Sequence, residues 1–241
     1  MTGRIPDKAM VLAAGLGKRM RPITERIPKP LVPIAGKPLI DWGLDALANA
    51  GVGEAVVNVH YLAPLLIAHL QGRASPRVRI SDESEELLDS AGGIVGALPW
   101  LGTLPFFVLN ADTFWVGGDE NLAELGLAWD DARMDILLML ADLDHSTGHS
   151  GRADFLLAQD GRLSRAGGAP DGLIYAGAAI VNPGIFAGAA AEPHSLNLYF
   201  DRAIAEGRLY GHPMRGHWIT VGTPDAIATA EAAVARHSAN L

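Results

Sequence analysis

Residues 11–33 read VLAAGLGKRMRPITERIPKPLVP, and this stretch decides the fold. The continuous apolar run at 9–13 is typical of a strand that is buried on both faces of a sheet. Gly15 and Gly17 follow directly, and without Cβ atoms they let backbone N–H groups approach a ligand closely. A glycine turn at the carboxyl end of a parallel strand therefore predicts an anion-binding loop.

Positive charge is concentrated around this turn in a chain that is acidic overall. The 241 residues include 19 Lys and Arg against 27 Asp and Glu, a net charge of −8, yet all four lysines precede residue 38. Arg19 is suited to a bidentate contact with phosphate oxygens, and Lys29 supplies a point charge. The acidic balance argues against nucleic acids and anionic membranes as partners, and the absence of cysteine excludes disulfide and thiol chemistry.

The rest of the chain alternates apolar, strand-like runs with helical patterns, which predicts an α/β fold with a mainly parallel, doubly wound sheet. Nothing in the composition resembles a linker, so we expect a single domain with two lobes. The predicted strands are 55–59, 77–80, 106–109, 136–140, 154–157 and 174–181. The predicted helices are 38–50, with Pro38 first and Gly51 as the stop, 62–70, 196–205 and 224–236.

Two uncharged stretches, 90–111 and 172–191, are long enough to span a bilayer as helices. Both contain repeated Gly and Pro, so we expect them to break into strand-length or turn-length pieces of buried structure. The apolar run at 9–14 is too short for a signal-peptide core. We therefore expect a soluble, cytoplasmic protein without a membrane segment.

Two well-known phosphate-binding motifs do not fit the turn. A Walker loop requires a glycine where Leu12 stands and Ser or Thr after Gly-Lys, where Arg19 stands. The dinucleotide-binding fingerprint requires a third glycine at the position of Met20, which argues against an NAD-dependent oxidoreductase.

The full string resembles the signature of the sugar-nucleotide pyrophosphorylases, nucleotidyltransferases that join a sugar 1-phosphate to a nucleoside triphosphate. Their pattern is roughly Leu-Ala-Ala-Gly-x-Gly-x-Arg-Met/Leu-x-Pro-x-Thr and then Pro-Lys-Pro-Leu, and residues 12–31 match it throughout. Further matches are GKPLI at 36–40, NAD at 110–112, GR at 151–152 and WITVGT at 218–223. The resemblance implies a Rossmann-like fold of the nucleotide-diphospho-sugar transferase type. In it, 1–112 is mainly nucleotide-binding and 113–241 mainly binds sugar phosphate.

The resemblance also implies a reaction, in which the sugar phosphate attacks the α-phosphorus of the nucleotide and expels pyrophosphate. Such chemistry needs positioning and cations more than a protein nucleophile. Within the family the chain is most similar to bacterial N-acetylmuramate 1-phosphate uridylyltransferases and to mannose-1-phosphate guanylyltransferase-like proteins. We expect UTP and N-acetylmuramate 1-phosphate as substrates, in peptidoglycan recycling. Two alternatives stay open: GTP with mannose 1-phosphate, and a nucleotide-binding homologue with weak catalysis.

Roles for individual residues follow from the same resemblance. Arg19 would bind the β- and γ-phosphates, Lys29 would bridge the α-phosphate and the sugar phosphate, and Asp112 would hold Mg²⁺. The base would be recognised by backbone near the glycine turn and by the loop at 81–93, whose acids at 83–86 read equally well as an exposed turn. The full predicted nucleotide-binding set is Leu12, Ala13, Ala14, Gly15, Gly17, Arg19, Lys29, Asp89, Ser90 and Asp112.

The chain departs from the family pattern at two places. Thr220 stands where a second metal-binding Asp is usual, so we assign the metal to Asp112 alone and expect weaker Mg²⁺ dependence than in a two-carboxylate relative. No lysine follows position 37, which removes the usual lysine for the sugar phosphate. Gly151, Arg152 and Tyr175 are the sugar-binding candidates instead. The oligomeric state cannot be read from these patterns.

Overall fold

Strands and helices alternate along residues 3–238, the part of the chain that the computed structural model describes. The strands are β1 (Lys8–Leu12), β2 (Pro33–Ile34), β3 (Lys37–Pro38), β4 (Glu54–Val59), β5 (Arg77–Asp82), β6 (Phe106–Asn110), β7 (Thr113–Val116), β8 (Ile136–Ala141), β9 (Ser146–Thr147), β10 (Phe155–Leu157), β11 (Leu163–Arg165), β12 (Ile174–Val181), β13 (Leu209–Pro213) and β14 (His217–Thr220). The α-helices are α1 (Leu39–Asn49), α2 (Ala63–Leu70), α3 (Asp89–Leu101), α4 (Asn121–Ala128), α5 (Asn197–Ala205) and α6 (Asp225–Ser238).

Seven strands form the central sheet in the order β13-β8-β12-β6-β1-β4-β5. Strands β6, β1, β4 and β5 pair in parallel, and β13 pairs in parallel with β8. Strand β12 is antiparallel to both of its neighbours, β6 and β8. The sheet is therefore mainly parallel, as predicted, and the carboxyl ends of β1, β4 and β6 meet at one edge.

Helices cover both faces of this sheet, which confirms the predicted doubly wound α/β class. On one face, apolar residues of α1, α2 and α4 pack on alternate strand residues such as Val11, Val57 and Phe107. On the other face, α3 and α5 pack on the intervening residues, among them Met10 and Val108. Strand residues buried on both sides explain why the strands read as uninterrupted apolar runs.

A third, smaller apolar cluster lies beside the sheet and holds the segment that follows β1. In it Met20 and Ile34 pack with Phe114 of β7, Ile219 of β14 and buried alanines of α6. The ring of Phe114 stacks on Trp42 of α1 with centroids 4.5 Å apart. The glycine-containing segment is thus fixed to the C-terminal helix as well as to the sheet.

Two sequence predictions about helices need correction. The prediction that 90–111 breaks into strand-length or turn-length pieces is wrong for the first half, because Asp89–Leu101 forms the 13-residue helix α3. Its glycines allow close packing: a Cβ at Gly92 would overlap the carbonyl oxygen of Glu192.

Pro38 lies just before helix α1 rather than at its first position, because it pairs with Pro33 of β2. The helix α4 and several short strands had no distinct sequence signal.

None of the helices within residues 3–238 has the length and apolar character needed to cross a lipid bilayer.

The packing of α3 yields a stability prediction with a matched control. Gly92→Ala should lower the free energy of unfolding by roughly 1–3 kcal/mol, because its Cβ overlaps backbone that cannot move freely. Gly96→Ala, in the same helix, meets only ordinary contacts at 3.6 and 3.8 Å and should raise it by roughly 0.5–1 kcal/mol through helix propensity. Urea unfolding of the two variants measures both values.

Equal or greater stability of the Gly92→Ala protein would show that α3 does not pack as closely against the 190–194 segment as the structure has it.

Candidate active site

A cavity of about 510 Å³ opens at the carboxyl edge of the sheet, above the ends of β1, β4 and β6. All the residues predicted to bind nucleotide line it except Gly17 and Arg19. Ligands of open α/β sheets bind at this edge because the loops that follow the strands converge there. The lining consists of Leu12, Ala13, Ala14, Gly15, Lys29, Pro30, Asn58, Leu87, Asp89, Ser90, Asn110, Ala111 and Asp112.

An ion pair joins the two sides of the cavity. The Nζ atom of Lys29 lies 2.5 Å from Oδ2 of Asp112 and donates a hydrogen bond to it. The side chain of Lys29 is 13% exposed and that of Asp112 is 36% exposed, so both can meet a ligand. The pair combines a cation suited to phosphate with a hard oxygen ligand suited to a divalent metal.

The backbone at Gly17 explains how Lys29 reaches this position. Gly17 is in the left-handed region, with φ 59° and ψ 27°, and its carbonyl oxygen accepts a hydrogen bond from the Thr24 hydroxyl at 2.8 Å. A Cβ at Gly17 would lie 3.0 Å from Cγ2 of Thr24 and 3.1 Å from Cβ of Lys29. Glycine is therefore required both for the turn and for its close contact with the lysine segment.

The segment 218–223 lies between Asp112 and Arg19. The Val221 amide donates to the carbonyl oxygen of Asp112 at 3.1 Å, and Thr220 pairs with Thr113 in the antiparallel β7–β14 ladder. The exposed guanidinium of Arg19 packs beside Gly222, 3.5 Å from where a Cβ would stand. Arg19 therefore lies next to the cavity through this segment, although it does not line the cavity itself.

The residues present fit a Mg²⁺ ion only if a ligand completes its coordination. Asp112 contributes a carboxylate, whereas Thr220, which pairs with the next residue, Thr113, across the β7–β14 ladder, is uncharged. Within residues 3–238, no three or more His, Asp or Glu side chains form a group that could hold a metal. Magnesium commonly takes one or two protein carboxylates together with substrate phosphates, so Asp112 could serve as such a partial site.

A buried polar layer lies beneath the cavity, with contacts that the sequence did not predict. Asn58 Oδ1 accepts a hydrogen bond from the Ala13 amide at 2.7 Å, and Asn58 Nδ2 donates to Oε1 of Glu83 at 2.7 Å. The other carboxylate oxygen of Glu83 accepts from the Leu88 amide at 3.1 Å. Burial raises the pKa of Glu83, while these hydrogen bonds and nearby His60 oppose the rise. The sequence placed Glu83 in the loop at 81–93, either in base recognition or in an exposed turn, and Glu83 is buried rather than exposed. Its bond to Asn58 had no sequence signal except an asparagine inside the apolar strand run at 55–59.

Asp89 and Ser90 reach the cavity from the start of α3. Asp89 has a positive φ of 59°, a conformation that Asp tolerates better than most residues. The Ser90 hydroxyl accepts a hydrogen bond from the Leu196 amide at 2.9 Å, which anchors this wall to the start of α5. The Ser90 amide also donates to Oδ1 of Asp89 at 2.5 Å. A role for Ser90 in binding nucleotide stays a prediction.

The predicted sugar-binding residues lie outside this cavity. Gly151 packs against the ring of His149, and Arg152 is exposed near Gly168. Their loop follows Gly148, which has φ +83° and where a Cβ would overlap the carbonyl oxygen of Thr220. The loop therefore starts beside β14, close to the segment that contacts Asp112.

Tyr175 is placed largely in the core. Its hydroxyl is buried and has no hydrogen-bond partner among the described residues, and its ring meets Phe200 edge-on at 5.6 Å. Burial raises the pKa of Tyr175. Two residues further on, Gly177 approaches Asn110, whose Nδ2 would lie 3.2 Å from a Cβ there. A role for Tyr175 in contacting the sugar also stays a prediction.

Comparison with known proteins places this arrangement in a family. The family model described as nucleotidyl transferase matches residues 8–131. The chain is 46% identical over 238 residues to the N-acetylmuramate alpha-1-phosphate uridylyltransferase of Caulobacter vibrioides, covering 95% of this chain and 98% of that protein. It is 30% identical to the mannose-1-phosphate guanyltransferase of Aspergillus fumigatus, covering 92% of this chain but only 62% of that protein.

Among solved structures, the inositol-1-phosphate CTP transferase from T. maritima superposes with a TM-score of 0.78 at 18% identity, covering 96% of each chain. At that identity the match supports the fold alone. The relationship to the uridylyltransferase, by contrast, runs along nearly the whole of both chains. The chain therefore belongs to the nucleotidyl transferase family, which confirms the predicted resemblance to the sugar-nucleotide pyrophosphorylases.

Proposed function

We propose that the protein joins UTP and N-acetylmuramate 1-phosphate to give UDP-N-acetylmuramate and pyrophosphate. One observation carries the choice of substrates: the 46% identity to the Caulobacter uridylyltransferase, which extends over 98% of that protein. The guanyltransferase relative is 30% identical and is matched along 62% of its length. With these substrates the protein would act in peptidoglycan recycling, in the cytoplasm.

The cavity supplies the groups that this reaction needs. Oxygen of the sugar phosphate attacks the α-phosphorus, and the bond from the α-phosphorus to the bridging oxygen of pyrophosphate breaks. Lys29 would stabilise charge on the α-phosphate and orient the sugar phosphate, and Arg19 would meet the departing pyrophosphate. Preorganised cations act most strongly in a partly desolvated site, and Lys29 is held in place before the ligand arrives.

Asp112 is the residue we propose for Mg²⁺, because among residues 3–238 it is the one carboxylate that pairs with Lys29. When bound, the ion would neutralise part of the phosphate charge. Phosphate oxygens would compete with Asp112 for Lys29, so nucleotide binding would free the carboxylate for the metal.

The positions of these residues support a division of the chain into two lobes. We propose that 1–112, which contains β1, β4, β5 and β6, provides most of the nucleotide site. Residues 113–241 would provide most of the sugar-phosphate site, through the loops at 148–152 and 218–223. Both lobes share the central sheet, so their relative positions are set by strand pairing between β6 and β12.

Pyrophosphate release tests the proposed reaction directly. Purified protein with Mg²⁺ is assayed with UTP, GTP, dTTP, CTP and ATP, each crossed with several sugar 1-phosphates. We expect the fastest release with UTP and N-acetylmuramate 1-phosphate. Faster release with GTP and mannose 1-phosphate would support the guanylyltransferase instead, and nucleotide binding without any release would support a catalytically weak homologue.

Lys29→Ala should lower kcat by about 10²–10³-fold, because it removes a preorganised charge next to the reacting phosphates. Steady-state kinetics with saturating substrates measures the change. Lys37→Ala is the matched control: Lys37 also pairs with an aspartate, Asp45, at 2.6 Å, but it lies outside the cavity. Loss of activity in both variants, or in neither, would contradict the role proposed for Lys29.

Calorimetric titration of Mg²⁺ tests the single-carboxylate site. Without nucleotide we expect no tight binding, because Lys29 occupies the only proposed carboxylate ligand. With UTP present, binding should appear. Thr220→Asp should tighten it by about tenfold, or ~1.4 kcal/mol, by adding a second acid, whereas Thr220→Ser should leave it unchanged. Tight binding to the free wild-type protein would contradict the assignment.

A further inference from the structure

Glu83 lies just beneath the cavity without lining it. Both Glu83 and its partner Asn58 are buried, with 4% and 3% of their surface exposed. Buried acids are rare unless they have partners, and within residues 3–238 no Lys, Arg or His side chain forms an ion pair with this one. Its carboxylate instead accepts two hydrogen bonds, from the Asn58 side chain and from the Leu88 amide. A buried carboxylate that accepts hydrogen bonds from two neutral donors requires a structural or functional reason.

These bonds connect segments that are distant in sequence. Ala13 starts the glycine turn, Asn58 lies near the end of β4, and Leu88 lies just before α3. Ala13 and Asn58 line the cavity, as do Leu87 and Asp89 on either side of Leu88. The Glu83 carboxylate therefore links two parts of the cavity lining, the Ala13–Asn58 side and the segment at 87–89, which are not joined by strand pairing.

The direction of the hydrogen bonds makes a carboxylate necessary. Asn58 uses its oxygen to accept from Ala13, so its amide nitrogen must donate to Glu83. The Leu88 amide is also a donor. Glu83 therefore faces two donors and needs an acceptor at both ends. Glutamine has the same shape but would turn an NH₂ group towards one of them, which would leave buried donors unpaired.

The surroundings hold this carboxylate in one position. The backbone of Glu83 is fixed on both sides, because its amide donates to the carbonyl oxygen of Val59 at 2.8 Å and its carbonyl contacts Nδ1 of His60 at 2.7 Å. A Cβ at Gly93 would lie only 2.6 Å from Oε1 of Glu83 and 2.8 Å from Nδ2 of Asn58. Helix α3 therefore packs directly against the pair, and only glycine leaves room for it.

We infer that Glu83 is a positioning residue for the nucleotide subsite: through Asn58 it fixes the backbone at Ala13, and through Leu88 it fixes the segment at 87–90. The inference rests on the proposed function only in taking a nucleoside triphosphate as the ligand. Glu83 itself touches no ligand. Its effect is to set the spacing between the glycine turn and the start of α3, and so the shape of the cavity between them.

The test reverses the direction of the hydrogen bond between residues 58 and 83, so that residue 83 becomes the donor and residue 58 the acceptor. Glu83→Gln alone leaves donors unpaired, and Asn58→Asp alone places two carboxylates together. In the double variant, the aspartate introduced at position 58 would accept from Ala13 and from the new glutamine, whose oxygen would accept from Leu88. All three hydrogen bonds are then restored, and only the one between residues 58 and 83 is reversed in direction. Glu206→Gln, at an exposed acid after α5, is the control for the substitution itself.

Two measurements are made on the full chain: amide hydrogen exchange at residues 13 and 88, and the Kd for UTP by calorimetry. We expect Glu83→Gln to speed exchange at both amides and to raise the Kd by about tenfold. The double variant should slow exchange again and bind UTP more tightly than either single variant. Such a rescue would not occur if Glu83 merely filled space.

The outcomes separate this inference from the proposed function. Faster exchange with an unchanged Kd for UTP would overturn the positioning role and leave the function standing. UTP binding that follows the variants as expected, without pyrophosphate release by the wild type, would overturn the function and support the positioning role. A wild-type protein that binds none of the five nucleoside triphosphates would overturn both.

Discussion

The contact between Lys29 and Asp112 is the interaction on which the site depends, and it spans 83 positions in the chain. It exists because β1 and β6 are parallel neighbours, with Leu12 opposite Asn110, so the chain leaves both strands at the same edge. The glycine turn after β1 brings the lysine back over that edge, and the turn after β6 presents the aspartate. Strand pairing thus places opposite charges together, at a position where a phosphate can take the lysine and a metal the aspartate.

The support for this contact comes from the far end of the chain. The segment between the glycine turn and α1 packs, through Met20 and Ile34, on β14 and on the C-terminal helix α6. Strand β14 is also hydrogen-bonded to β7, which follows Asp112 directly. The two sides of the ion pair are therefore attached to the same small cluster. The C-terminal helix therefore packs against the segment that carries Lys29.

Much of this arrangement could be predicted from the sequence. The apolar runs predicted the buried strands, because residues in a parallel sheet covered on both faces are apolar throughout. The glycine turn and the family pattern then predicted most of the cavity lining. Helix α3 was missed because glycine usually destabilises helices. Here Gly92 and Gly93 instead permit close contact with neighbouring segments. Its helical structure depends on tertiary packing, which local propensity does not contain.

The polar layer could not be found for a related reason. Glu83 begins the acidic stretch Glu-Ser-Glu-Glu at 83–86, and such a stretch is typical of an exposed turn; Glu85 and Glu86 are indeed exposed. Burial of the first acid depends on Asn58 and Gly93, which come from other elements. Likewise, the sequence showed that Thr220 departs from the family pattern. Only the strand pairing shows that Thr220 lies opposite Thr113, the residue that follows Asp112.

A crystal structure of the protein with UTP and Mg²⁺ tests the central claim most directly. The quantity to measure is the distance from Lys29 Nζ to Asp112 Oδ2, which is 2.5 Å without ligand. The account predicts that UTP occupies the cavity at the ends of β1, β4 and β6, that Lys29 contacts a phosphate, and that this distance exceeds ~4 Å, the limit of an ion pair. UTP bound elsewhere, with the Lys29–Asp112 pair intact, would contradict it.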